Sequence, residues 1–243
     1  MYLRDEKILY IHIPRTGGQS VTRYFYDCLG ILDQFANTGP TNEVKEKKTI
    51  EQMYTSDSPN ERYLFAKNNH WKVPGPLILT HMSLQEYVDY GYIDSSNLKS
   101  IKKIVTVRNP YEKIISSCNY RNVAPDWLWL KRMTDEHKTQ SEKYRHFMRQ
   151  SEYVTFAGKI SVDKVIKVED ICTDIPRAVS RRIETKGKKL ERFHELPEGQ
   201  VYKRVIDREV IFAQKVEDLK RPTIDWINDY YHEDFEMFGY EKI

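Results

Sequence analysis

The chain has few cysteines, and it lacks the spacings that cysteine-based sites require. Its 243 residues include only Cys28, Cys118 and Cys172. No C-x-x-C pair is present, which argues against a zinc site, and an odd, widely spaced set argues against a disulfide framework. We therefore expect these thiols to be small core residues.

Markers of export and of membrane insertion are also missing. The sequence has no signal peptide, no run of 18 apolar residues and no N-x-[ST] sequon. These absences predict a cytoplasmic protein. The alternative is a luminal catalytic fragment separated from its anchor, which would lack the same markers.

A strong charge of one sign is absent too. The formal net charge is only +3, so bulk attraction to nucleic acid is not indicated. The charge is uneven, however, since residues 99–149 contain twelve Lys or Arg against five Asp or Glu. A basic central segment suits a small, multiply charged ligand, and the alternative is a set of solvated helix faces.

The order of elements predicts the fold class. Apolar runs at about 7–13, 77–80, 101–107 and 162–168 read as strands, and helical patterns fall at about 18–30, 83–90, 126–150, 170–185, 206–219 and 222–231, with another from Pro110. This alternation predicts a single α/β domain over 1–243, a three-layer, P-loop-like fold with a central parallel sheet of four to five strands flanked by helices. The polar stretch 31–75 is expected to be a loop or insertion.

A small-residue loop connects the first strand to the first helix. The run Ile8–Ile13 stops at Pro14, and a helix opens at about Gln19. A strand, glycine loop and helix point several N–H groups at one anion, and Arg15 adds a fixed charge. This predicts a phosphate or sulfate site, and the alternative is a turn whose glycines allow tight packing.

The loop is not a Walker A motif. That motif places a lysine directly before its hydroxyl residue, where this chain has Gln19 before Ser20. Kinases also need an acidic magnesium ligand after a strand, and Glu169-Asp170 is the nearest candidate. A P-loop-type kinase is kept as the alternative interpretation, although the chain lacks the Walker lysine.

A second motif begins at the end of the 101–107 strand. Asn109, Pro110 and Glu112 give a strong helix start, which puts Arg108 at the carboxyl end of the strand. Ligands of open α/β sheets bind at such ends. Arg108 and Ser116 could hold a second phosphate. The alternative is that Arg108 pairs with a carboxylate and that the serine is an ordinary helix residue.

Together the two motifs resemble the PAPS-dependent sulfotransferases, where PAPS is 3′-phosphoadenosine 5′-phosphosulfate. The residue pattern of the first motif is most similar to that of the carbohydrate sulfotransferases of the heparan and chondroitin sulfate type. The resemblance rests on the segments His12-Ile-Pro-Arg-Thr-Gly-Gly-Gln-Ser20, Gln150-Ser-Glu-Tyr153, Val165-Ile-Lys-Val-Glu169 and Asp234-Phe-Glu-Met-Phe-Gly-Tyr240. It is weak over residues 31–75 and 186–205.

The resemblance implies sulfuryl transfer from PAPS to an acceptor hydroxyl, most simply on a carbohydrate, without a metal ion. A protein tyrosine, a small metabolite, or a degenerate fold that only binds ligands are the alternatives. The first motif would bind the 5′-phosphosulfate, and the second would bind the 3′-phosphate. The implied donor-binding residues are Arg15, Thr16, Gly17, Gly18, Gln19, Ser20, Arg108 and Ser116.

The sequence departs from the family pattern at three places. Arg15 stands where the family usually has a lysine that follows the bridging oxygen as the bond breaks. Gln19 replaces a common threonine. The family's Pro-His-x-Asn stretch is not visible, and residues 196–200 stand near its place. The third departure leaves the identity of the acceptor open.

We expect His81 to be the general base, with Arg15 as the other catalytic residue. His81 follows the 77–80 strand, and an imidazole with an ordinary pKa of about 6.5 is largely neutral at pH 7. The alternative is a structural histidine at the start of the next helix. His12 is predicted to lie buried inside the first strand, and His70 is the reserve candidate.

The acceptor side is expected around the basic 126–150 segment. Trp127, Lys131 and Arg132 could border the acceptor cleft together with His70, and the 31–75 region would lie near it. Packing into the core is the alternative for the tryptophan.

Overall fold

The computed structural model describes residues 1–3, 6–29, 81–136, 142–191 and 215–243. In this part of the chain, four strands form a sheet in the order β1-β2-β3-β6. Their bounds are β1 (Tyr2–Leu3), β2 (Ile8–Ile11), β3 (Lys102–Val107) and β6 (Lys164–Lys167). Strands β2, β3 and β6 are parallel, and β1 pairs antiparallel with β2. The predicted α/β class is confirmed.

The helices of the described ranges surround this sheet. They are α1 (Gly18–Cys28), α2 (Leu84–Asp89), α3 (Pro110–Arg121), α4 (Trp127–Glu136), α5 (Glu142–Arg145), α6 (Gln150–Val154), α7 (Ile171–Val179), α8 (Arg221–Tyr230) and α9 (His232–Phe238). A separate hairpin of β4 (Thr155–Phe156) and β5 (Lys159–Ile160), together with α9, was not predicted. The predictions for 31–75, 77–80, 196–200 and 206–214 lie outside the described residues.

Alternation along the strands builds two core layers. Ile8 and Tyr10 of β2 pack with α1 and α7 on one face of the sheet. Leu9 and Ile11 pack with α2, α6 and α9 on the other face. Because both faces are covered, β2 is buried along its whole length and has no polar side, as is usual for strands of a parallel sheet. The sheet is therefore the middle of three layers.

A third apolar cluster lies beside the sheet and holds α3, α4, α8 and α9 together. Tyr111, Ile114 and Cys118 of α3 belong to this cluster, and Leu130 and Met133 of α4 pack into it. The helical repeat puts Ser116 and Tyr120 on the opposite side of α3. One side of α3 therefore packs in this cluster, and Ser116 and Tyr120 lie on the side that faces away from it.

A buried carboxylate connects the last helix to the end of β3. Asp234 accepts hydrogen bonds of 2.8 Å from the backbone N–H groups of Gln150 and Ser151 at the start of α6. The Gln150 side chain accepts from the N–H of Arg108 at 2.9 Å and donates to its carbonyl at 2.8 Å. The backbone of Arg108 is therefore fixed by segments that are distant in sequence.

We predict that Asp234→Asn destabilises the fold. The substitution removes the anion and turns one acceptor into a donor that faces an N–H group, and hydrogen bonds to charged groups contribute about 1.5–3 kcal/mol each. For a chain of this size we expect the melting temperature to fall by roughly 5 °C or more. The exposed Asp229→Asn substitution on α8 is the matched control, and equal melting temperatures for the two variants would contradict the prediction.

Candidate active site

The three parallel strands end at the same edge of the sheet. His12 follows β2, Arg108 follows β3 and Val168 follows β6. The carboxyl ends of parallel strands are where open α/β sheets bind ligands. Both sequence motifs therefore begin at one edge, as the strand order predicts.

The loop after β2 is held in an unusual backbone conformation. Arg15 and Gly17 have φ angles of 69° and 84°, in the left-handed region. Thr16 between them is fully buried, and its hydroxyl donates to the carbonyl of Ile13 at 2.9 Å and lies 3.0 Å from the Thr106 hydroxyl. The Thr16 side chain thus attaches the loop to β3, so any ligand contact from this residue has to come from its backbone.

The two glycines of the loop are required for different reasons. A Cβ on Gly18 would lie 1.9 Å from Nε2 of His12, so the imidazole occupies the space where a side chain would be. A Cβ on Gly17 would lie 3.1 Å from Cδ1 of Ile171, and its positive φ also favours glycine. Gly17 gives α1 no side-chain cap, and the first turn of α1 holds no acidic residue. The positive end of the helix dipole therefore points at the loop.

One side-chain hydrogen bond joins the two motifs. Nε of Arg15 donates to Oγ of Ser116, 101 residues away, at 3.0 Å. Glu112, Ser116 and Tyr120 follow one another at intervals of four along α3, so they lie on one side of the helix. Ser116 therefore contacts the loop after β2, and Arg108 stands at the end of the neighbouring strand β3.

Arg108 is paired with a carboxylate, which was the alternative interpretation of this residue. Its Nε lies 3.0 Å from Oε2 of Glu112, and both side chains are partly exposed, at 30% and 45%. An ion pair with this exposure contributes about 1 kcal/mol or less. The pairing is weak enough to be exchanged for a phosphate.

A row of rings runs along the edge of the site. The His12 and His81 rings are 4.9 Å apart, and those of His81 and His146 are 5.9 Å apart. The ring of Tyr120 stacks on His146 at 5.1 Å, and Cζ of Arg15 lies 4.8 Å from the centre of the Tyr120 ring. His81, the candidate base, is therefore connected to Arg15, the candidate cation, through the rings of His146 and Tyr120.

The backbone at His81 is firmly anchored. Arg145, which is nearly buried, donates to the His81 carbonyl at 2.9 Å and forms an ion pair with Glu86. Glu86 also completes a capping box with Ser83 at the start of α2. Sequence reasoning missed Arg145, because its partners lie 59 and 64 residues away and leave no local signal.

The prediction that His12 lies inside the first strand is wrong. Strand β2 ends at Ile11, so His12 belongs to the loop and contacts Gly18 and His81. Burial lowers the pKa of His12 well below its ordinary value, and the neighbouring His81 lowers it further. We therefore expect His12 to be neutral at pH 7.

A buried lysine supports the segment that carries His146. Nζ of Lys113 donates to the carbonyls of His146 and Met148 at 2.9 and 3.0 Å, and Ser117 also donates to the first of these. Burial lowers the pKa of Lys113 to about 8, against the opposing effect of Asp234. These bonds fix the backbone beneath the ring row.

The remaining predicted site residues differ in how near they lie to the loop after β2. Gln19 is exposed and Ser20 is buried in the first turn of α1. Trp127 is half-buried, and Lys131 and Arg132 are exposed, on α4. Helix α4 packs into the cluster on the side of α3 opposite Ser116, so the structure does not bring these three residues to the loop after β2. His70 lies outside the described residues.

Comparison with known proteins gives one match. A family model described as the sulfotransferase family matches residues 1–241. No curated protein and no solved structure matches the chain significantly. Within the described ranges, no group of three or more His, Cys, Asp or Glu is arranged to hold a metal ion. Among the helices of those ranges, none has the length and apolarity needed to cross a bilayer.

The lowered pKa of Lys113 predicts a pH effect on stability. Between about pH 8 and pH 10.5, the unfolded chain binds a proton that the folded chain has lost, so this group's contribution to folding rises with pH. Each unit of pKa difference corresponds to about 1.4 kcal/mol. Chemical denaturation at pH 8, 9 and 10 should show wild type gaining stability relative to Lys113→Met. The difference in free energy of unfolding between wild type and the exposed control Lys99→Met should stay constant with pH. Parallel pH curves for wild type and Lys113→Met would contradict the prediction.

Proposed function

The chain belongs to the sulfotransferase family, whose members use PAPS as donor, and we propose that it transfers the sulfuryl group of PAPS to a carbohydrate hydroxyl. The hydrogen bond between Arg15 and Ser116 is the observation that carries this proposal. It joins a loop suited to one anion with a helix side suited to another. Two anions at a short distance are what PAPS presents.

The residues at this edge have the chemistry that the donor requires. Arg15 and the positive end of α1 offer charge and N–H donors to the 5′-phosphosulfate. Arg108 and Ser116 offer a guanidinium and a hydroxyl to the 3′-phosphate. Glu112, which pairs with Arg108 on this side of α3, is partly exposed and weakly held, so a phosphate can replace it.

The proposed reaction is an in-line displacement at sulfur. The acceptor oxygen forms a bond to sulfur while the bond between sulfur and the bridging phosphate oxygen breaks, and 3′-phosphoadenosine 5′-phosphate (PAP) leaves. Arg15 offsets the negative charge that develops on the leaving phosphate. His81 takes the proton of the acceptor hydroxyl, a role supported by its place in the ring row and its anchored backbone.

The carbohydrate acceptor rests on the resemblance of the motifs. Trp127, Lys131 and Arg132 remain our proposal for contacts with the outer part of an extended, anionic glycan; they are half-buried or exposed on α4, away from the loop after β2. The match to the sulfotransferase family favours sulfuryl transfer over the competing kinase interpretation.

Loss of the proposed base should stop turnover and leave donor binding intact. We expect His81→Ala to lower sulfate transfer by about 10²–10⁴-fold, the usual contribution of a general base. The assay uses labelled PAPS with desulfated heparan and chondroitin chains as acceptors. PAP affinity should match wild type, and the exposed His232→Ala is the control. Near-normal transfer by His81→Ala would remove this residue from the role.

Loss of Arg108 should weaken binding only of ligands with a 3′-phosphate. We expect Arg108→Ala to lower PAP affinity by about 10- to 100-fold, because a charge-assisted contact is lost. Affinity for adenosine 5′-phosphate should change by less than about 2-fold on the same scale. Glu112→Gln is the matched control and should bind PAP at least as well as wild type. Calorimetric titration measures both ligands, and equal weakening of the two would contradict the assignment.

A further inference from the structure

We propose that Tyr120 is a positioning residue that holds the Arg15 guanidinium in place for the 5′-phosphosulfate. The inference rests on the proposed function, in which Arg15 contacts the donor. It adds a residue that neither motif contains and that follows Ser116 by one helical turn.

Two contacts help to hold the Arg15 head group in position. Ser116 accepts a hydrogen bond from Nε at 3.0 Å, and the centre of the Tyr120 ring lies 4.8 Å from Cζ. The second distance is within the range of a cation–π interaction. The backbone of Arg15 has a left-handed φ of 69°, which sets where the side chain leaves the loop. The two contacts then set where it ends.

The Tyr120 ring is itself held, although the residue is 42% exposed. It stacks on His146 with an interplanar angle of 8° and a centroid distance of 5.1 Å. His146 is nearly buried, and its carbonyl accepts from Lys113 and Ser117. Arg121 lies farther from the ring than Arg15 does, at 5.5 Å. A supported ring gives the Arg15 head group a fixed surface.

This contact accounts for an arginine at position 15. A guanidinium is planar and weakly hydrated, so it stacks on aromatic rings, whereas an ammonium is a compact, strongly hydrated charge. An arginine held by a ring on one helix and a hydroxyl one turn earlier is a fixed cation. The departure from lysine and the presence of Tyr120 are then two parts of one arrangement.

A double-mutant cycle on PAP binding tests the proposal. Calorimetric titration with PAP is carried out on wild type, Tyr120→Ala, Arg15→Ala and the double variant. We expect Tyr120→Ala to weaken PAP binding by about 3- to 30-fold, the range of a cation–π contact. In the Arg15→Ala background, removal of the ring should have no further effect. The exposed Leu128→Ala is the control for loss of an apolar surface side chain.

Two further variants separate positioning from packing. Tyr120→Phe keeps the aromatic face and should bind PAP within about 2-fold of wild type, whereas Tyr120→Leu keeps only apolar bulk and should behave like Tyr120→Ala. Equal losses in the wild-type and Arg15→Ala backgrounds would overturn the proposal, as would full PAP affinity in Tyr120→Leu. Failure of wild type to bind PAP would instead refute the proposed function itself.

Discussion

The hydrogen bond from Arg15 to Ser116 is the contact on which the site depends. It forms only because the loop turns through a left-handed residue at Arg15 and another at Gly17, and because α3 presents Ser116 at the same sheet edge. Gly18 has to be a glycine, since the His12 ring fills the space beside it. A strained loop and a helix from a distant part of the chain thus produce the cluster of hydrogen-bond donors that we propose as the anion site.

The second constraint is the buried Asp234. It holds the start of α6, and Gln150 from that helix holds both backbone polar groups of Arg108. Two of the segments that carry the resemblance to sulfotransferases therefore have a structural role here. They place the end of β3, from which Arg108 and α3 begin, and so contribute to the site by fixing its backbone.

Local signals were enough to predict the strand-loop-helix unit and the start of α3. The apolar run before Pro14 and the Asn109-Pro110 helix start depend on nearest neighbours, and the structure reproduces both. Thr16 was different, because a hydroxyl in a glycine loop resembles a ligand donor, but here it is buried against Thr106. The contacts of Tyr120 with Arg15 and His146 had no local signal, because they span 105 and 26 residues of the printed sequence.

The central claim is that residues at one edge of the sheet bind both the 5′-phosphosulfate and the 3′-phosphate of PAPS. Calorimetric titration of the wild-type chain with PAP, and separately with adenosine 5′-phosphate, tests it most directly. The account predicts one PAP per chain, with affinity at least about 10-fold higher than for adenosine 5′-phosphate, because charge-assisted contacts to the 3′-phosphate are worth more than 1 kcal/mol. Absence of PAP binding, or equal affinity for the two nucleotides, would contradict it.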